Sequence, residues 1–184
     1  MPKEHKLKYS KEKIENYCKL KAGRKLAFGF EHCQRVYKLA KKLGSRYDDE
    51  ILHAAAFLHD IERGKDHEKK SANHAALLLK FHMGDTDIFR VQEAIYKHTA
   101  LGEPKSVEAI LVHDAALLDC LGGVGMLQLA LAMQDKKSLK DLVKHIKNHR
   151  NVIAEKLVLK QSKSLAADRI GAMDLMFDAL EKEL

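Results

Sequence analysis

Residues 54–61 read Ala-Ala-Ala-Phe-Leu-His-Asp-Ile. Five apolar residues run straight into an imidazole and a carboxylate. A helix that apolar belongs in a core. Ending it with His59 and Asp60 sets two polar groups against apolar surroundings, where an unpaired charge costs several kcal/mol. A bound cation satisfies both groups. So does an exposed helix end with Asp60 simply solvated, and the segment alone leaves the two readings open.

The same conflict recurs further along. Asp114 sits inside Ala-Ile-Leu-Val-His-Asp-Ala-Ala-Leu-Leu, residues 109–118, and a carboxylate there again needs a partner. His32 lies within a helical stretch beside Phe30, Cys33 and Val36. Any one of these residues is ordinarily a core or surface residue. Together they place four ligand-type side chains on three apolar helices.

Outward from these segments the pattern is helical nearly throughout. Proline occurs only at Pro2 and Pro104, Leu, Ala, Lys and Glu dominate, and no stretch alternates with period two. Caps and breakers predict the boundaries. A first helix starts at Ser10 and stops near Gly23. A second runs from about Arg24 to Leu43, and a third, capped by Asp48 or Asp49, covers Glu50–Leu58. A fourth spans about His67–His82, and a fifth runs from Asp85 or Thr86 to about His98. A sixth covers about Lys105–Leu121, with Pro104 at its first turn and Gly122-Gly123 ending it. Two longer helices close the chain, one capped by Ser138 with Asp141 and one over about Ser162–Glu183. The expectation is an all-α, single-domain bundle over residues 1–184, with about eight or nine helices and the site at its centre. Its motif-bearing core is about 25–125, and helices over about 138–184 pack on it.

Composition narrows the class. The 184 residues are 46% hydrophobic and 32% charged, ordinary for a soluble globular protein. No apolar run reaches a membrane span, and Met1–Ser10 lacks the apolar stretch of a secretory signal. A cytoplasmic protein is expected. Cys18, Cys33 and Cys120 are far apart and form no Cys-x-x-Cys, which argues for reduced thiols. The net charge of +7 suits either a lysine-rich surface or a polyanionic ligand. Tryptophan is absent and aromatics make up 6%, so the stacking platform of a single-strand nucleic-acid binder is missing.

The order His32, then His59-Asp60, then Asp114 resembles the signature of the HD superfamily of metal-dependent phosphohydrolases, in its small bacterial single-domain branch. The flanking residues agree. His32-Cys33-Gln34-Arg35-Val36 is similar to the family's His-x-x-Arg-Val, and Ala94-Ile95-Tyr96-Lys97-His98 resembles a later helix ending in histidine. Leu111–Gly122 is similar to the family's last-ligand segment, with one departure. Where such members read Asp-Ala-Asp-Arg-Leu-Asp, this chain reads Asp114-Ala115-Ala116-Leu117-Leu118-Asp119.

The resemblance implies a divalent metal (Mn, Mg, Co, Ni, Fe or Zn) held by His32, His59, Asp60 and Asp114, with one ion or two. It implies hydrolysis of a phosphate ester or anhydride of a small molecule, such as a nucleotide, by a metal-activated water. Acid, base or second-metal roles fall to Glu62, Asp66, His67 and His98. Phosphate contacts fall to Arg35, Arg63, Lys65 and Lys70. His53, His74, His82 and His113 hold no motif position, and His5, His145 and His149 read as surface residues. The loss of an acid and an arginine at Ala116 and Leu117 also admits a non-catalytic nucleotide-binding module that keeps the metal. The chain is expected to work as a monomer or homodimer without membrane or nucleic-acid partners.

Overall fold

The computed structural model describes residues 7–22, 25–135 and 138–184. Among them are nine helices and no strand: α1 (Lys11–Ala22), α2 (Phe30–Leu43), α3 (Asp49–Leu58), α4 (His67–Leu79), α5 (Asp85–Tyr96), α6 (Val107–Asp119), α7 (Gly122–Ala132), α8 (Leu139–Lys156) and α9 (Lys160–Glu183). The all-α expectation holds.

Helix α3 is the axis of the molecule. Every residue from Ile51 to Leu58 is buried, so the helix is covered on all sides, as its unbroken apolar run requires. It packs on α1, α2, α4, α5 and α6. Asp48 caps it, accepting from the backbone N–H of Glu50 at 3.0 Å and of Ile51 at 3.2 Å, which stabilises such a start by about 1 kcal/mol. Truncating a core residue such as Leu52 or Leu58 to alanine would cost about 2–5 kcal/mol. Helix α6 is almost as buried, from Glu108 to Asp119. It lies against α2, α3 and α5, and α9 packs on α6 and α7.

Three boundaries differ from expectation. Helix α2 begins at Phe30, because residues 25–29 run irregularly and Phe28 takes φ 52; Gly23 and Arg24, where the first two boundaries were expected to meet, lie outside the described residues. Helix α6 is capped by the Ser106 hydroxyl, with Pro104 outside the helix. The third difference is α7, which sequence patterning missed. Gly122 takes φ 80 at the turn between α6 and α7, and a side chain at Gly125 would meet the Cys120 backbone at 2.2 Å. These glycines permit a sharp turn and a close approach rather than ending structure. Among the described residues no single helix is long and apolar enough to cross a membrane; α6 and α7 pass that test only jointly, bent by 80°.

Candidate metal centre

The end of α3, the start of α4, the end of α5, the first turn of α2 and the last turn of α6 meet around one cavity of about 410 Å³. This is a size usual for small-ligand sites. His32, His59 and Asp60 share one wall with His67 and His98. Their ligand atoms form two groups, His32/His59/Asp60 and Asp60/His67/His98, each with all members within 4.8 Å. Asp60 belongs to both.

The imidazoles are oriented by what holds their other nitrogen. His32 Nδ1–H donates to Asp119 Oδ2 at 2.7 Å, His59 Nδ1–H to the Ala56 carbonyl at 2.9 Å, and His98 Nδ1–H to the Ile95 carbonyl at 2.6 Å. With Nδ1–H engaged in this way, each ring turns its Nε2 inward. His32 Nε2 and His59 Nε2 lie 3.0 Å apart, and each is 3.8 Å from Asp60 Oδ2. On the other side of the carboxylate, His67 Nε2 and His98 Nε2 approach Asp60 Oδ1 at 3.4 and 3.6 Å.

Lone pairs facing one another and a carboxylate repel unless something positive lies between them. Asp60 Oδ1 is buried with no hydrogen-bond partner, a costly state for a charged oxygen. Two atoms bound to one ion at about 2.1 Å can be separated by up to about 4.2 Å, and 3.0 and 3.8 Å fall inside that limit. Two imidazoles and a carboxylate suit a borderline or hard divalent cation. The residues present fit such an ion.

The electrostatics agree. Burial lowers the His59 pKa to about 3, so the ring stays neutral and able to ligate. Burial alone would raise Asp60, but His59, His98 and Arg63 hold it well below the usual carboxylate range. Asp119 is likewise kept ionised against burial by His32 and Arg35. Arg63 Nη1 donates to Asp60 Oδ2 at 3.0 Å, and Nη2 donates to the carbonyl of Phe28. That bond holds the left-handed Phe28, a conformation costing about 1–3 kcal/mol, at the cavity wall.

Several expected site residues are elsewhere. Asp114 is not in either group. Its two oxygens accept from the backbone N–H of Val158 at 2.9 Å and of Leu159 at 2.8 Å, tying α6 to the start of α9. The reason is helical geometry. Ala116, two residues on and about 200° round the axis, is the residue that lines the cavity. The expectation that the first aspartate of this segment completes the ligand set is thus corrected.

Glu62 pairs with His74 Nδ1 at 2.6 Å, and His74 Nε2 bonds the Tyr17 hydroxyl at 2.6 Å; this chain links the segment after α3 to α1 and α4, outside the cavity. Asp66 precedes α4 with φ 58 and is exposed, as are Lys65 and Lys70, and none of the three lines the cavity. Arg35 lies behind His32, donating to Asp119 at 2.8 and 3.0 Å and to Gln128 at 2.8 Å. His67, His98 and Arg63 are on the wall.

Sequence reasoning missed three contributors. Asp119, one turn after Ala116 on α6, orients His32. Gln128 on α7 supports Asp119, with its Nε2 3.1 Å from Oδ2. His149, read as a surface residue, lines the cavity from α8. The retained aspartate at 119 was the only available signal. The other two reach the site through tertiary packing.

Comparisons with known proteins agree with this arrangement. Residues 29–119 match the family model for the HD domain. No curated protein matches the chain. Among solved structures, Bacillus subtilis YpgQ in complex with ADP is 21% identical, with a TM-score of 0.73, over 95% of this chain and 98% of that one. A Lactobacillus plantarum protein is 20% identical with a TM-score of 0.77, over 100% and 98%. An HD-superfamily hydrolase from Bacillus thuringiensis is 23% identical with a TM-score of 0.69, over 94% and 95%. At such identities these structures share the fold. The matched segment contains the His59-Asp60 pair, and residues 29–119 form an HD domain.

Proposed function

We propose that this chain is a metal-dependent phosphohydrolase acting on a phosphate ester or anhydride of a small molecule, with His32, His59 and Asp60 as ligands of a divalent ion. The observation that carries this reading is the convergence of bare Nε2 lone pairs on Asp60, whose buried Oδ1 has no partner. An ion bound there would acidify a water and offset charge on the phosphoryl group. The chain's own residues supply the rest. Asp119 fixes the His32 ring. Arg63, already against Asp60, is placed to meet a non-bridging oxygen. His67 and His98 either hold a second ion or deliver a proton at the leaving-group oxygen. Nucleotides are the first compounds to try, since the structurally similar YpgQ is seen with ADP.

The test is to load the protein with Mn or Co, verify metal content, and follow phosphate and pyrophosphate release from nucleotides and other phosphate compounds. Turnover abolished by Asp60→Asn is the expected result. No turnover of any phosphate compound with metal verified in place would sink the reading. A second reading, a nucleotide-binding module without catalysis, is favoured by Ala116 standing on the cavity wall where an acid is missing. Tight binding of a nucleotide that survives long incubation intact would select it.

A further inference from the structure

We infer that the cavity takes a phosphate monoester with a compact apolar body, in preference to a polyphosphate chain. This rests on the phosphohydrolase reading above and narrows its substrate class.

The first ground is a shortage of cations. A di- or triphosphate is ordinarily met by lysine, arginine and bound ions acting together. Of the four basic side chains that follow the ligands in sequence, only Arg63 is on the wall, and it already serves Asp60 and the Phe28 carbonyl. Arg35 is turned away onto Asp119 and Gln128. Lys65 and Lys70 are exposed and outside the cavity. The remaining nitrogen-bearing side chains on the wall are imidazoles, not lysines or arginines. One phosphoryl group beside Arg63 and an ion is matched in charge. Two further phosphates are not.

The second ground is the composition of the rest of the wall. Away from the ligands it is formed mainly by Phe28, Ala100, Leu101, Ala116, Leu117 and Cys120, with Gly64, Thr99 and His149 beside them. Leu101 is 92% exposed, so the cavity carries an uncovered leucine that an apolar body would bury. Leu117 is a buried residue of the α6 face next to the ligands. An arginine there would bring a phosphate-binding fork to the cavity; leucine brings apolar surface instead. The carbon skeleton of the substrate therefore lies against α6 and the 99–101 turn, with its single phosphoryl group at Asp60 and Arg63.

The experiment uses the Mn-loaded full chain and two matched pairs. Phenyl phosphate and ATP are compared by kcat/KM. Phenylphosphonate and an ATP analogue with methylene in both phosphate bridges, which resist hydrolysis at their P–C bonds, are compared by calorimetric affinity. We expect the phenyl compound to lead in both pairs by about tenfold or more, and Leu117→Arg to move both ratios toward the triphosphate by about tenfold, the worth of one charge-assisted contact. Leu101→Ala, at a site too exposed to affect folding, should weaken phenylphosphonate more than inorganic phosphate. A wild-type preference for the triphosphate, or a Leu117→Arg protein with unchanged ratios, overturns the inference. If no compound turns over, the phosphohydrolase reading fails while the calorimetric pair still decides the ligand class, so the two failures are distinct.

Discussion

Helix α3 and the residue that ends it carry two buried histidines six residues apart, and they are in opposite states. His53 has both ring nitrogens occupied. Nδ1 accepts from the Tyr9 hydroxyl at 2.7 Å and Nε2–H donates to Glu15 at 3.0 Å. His59 has only its Nδ1–H occupied, and its Nε2 faces another imidazole and a carboxylate. Both are fully buried. What separates a structural histidine from a ligand-type one is therefore the second nitrogen. A core histidine finds a donor and an acceptor within the protein. A ligand is held by one and left bare at the other.

The contrast is broken most decisively at Asp60. Asp60→Asn should cost at least about 100-fold in divalent-metal affinity, since it removes charge from the one residue both groups share; removing outer supports alone costs 10–100-fold. Calorimetric metal titration checks it, and unchanged affinity would put the site elsewhere. Asp119→Asn should weaken metal binding by roughly 10–100-fold, because the His32 ring loses its ionic anchor while the cavity stays intact. The same titration reads the effect, with near-ultraviolet circular dichroism confirming an unchanged fold.

A paired substitution sharpens the comparison. His53→Leu strands the Tyr9 hydroxyl and should destabilise the chain by about 1–3 kcal/mol while leaving metal affinity unchanged. His59→Leu should do the reverse, abolishing metal binding while the metal-free chain stays as stable or gains, since it removes an unsatisfied polar group from the core. Denaturant midpoints with and without metal separate the two patterns. Ala116→Asp adds a carboxylate to the wall beside the ligands and should tighten metal binding by about tenfold. No change would mean that this face of α6 does not reach the ion.

The smallest effect is in acid. Burial lowers the His53 pKa, and Glu15 partly offsets that. Below the ordinary histidine value the unfolded chain takes up a proton that the folded chain resists, so stability falls as pH drops from about 7 toward 5. Glu15→Gln removes the offset and should steepen the fall, by less than about 1 kcal/mol because that carboxylate is part-exposed. Urea titrations at the two pH values measure it. An equal slope in both proteins would show that Glu15 does not favour the charged ring.

Much of the centre was legible in one dimension. An apolar run ending in His59-Asp60 announces a buried helix with a polar end, and caps and periodicity placed α3–α6 and α9 within a few residues, while α2 starts about six residues later than expected and only the start of α8 was read. Where reading failed, it failed on rotation and distance. Asp114 and Ala116 are two residues apart on one helix, and an acid at the first position cannot substitute for one at the second, because they face opposite sides. Arg35 follows a ligand in sequence yet points behind it. Glu62 and Lys65 adjoin Asp60 in the chain and leave the cavity within a few residues.

The sequence by itself determined the all-α class and the central helix, because apolar periodicity is a local property of the chain, and it offered His32, His59 and Asp60 as a set only through their resemblance to an ordered family motif. Tertiary structure alone decided the rest. It gave Asp114 to the start of α9, recruited Asp119 and Gln128 behind His32, set His149 on the wall and left the cavity poor in cations. Those outcomes depend on which faces of distant helices meet, and that is fixed by packing rather than by any spacing along the chain.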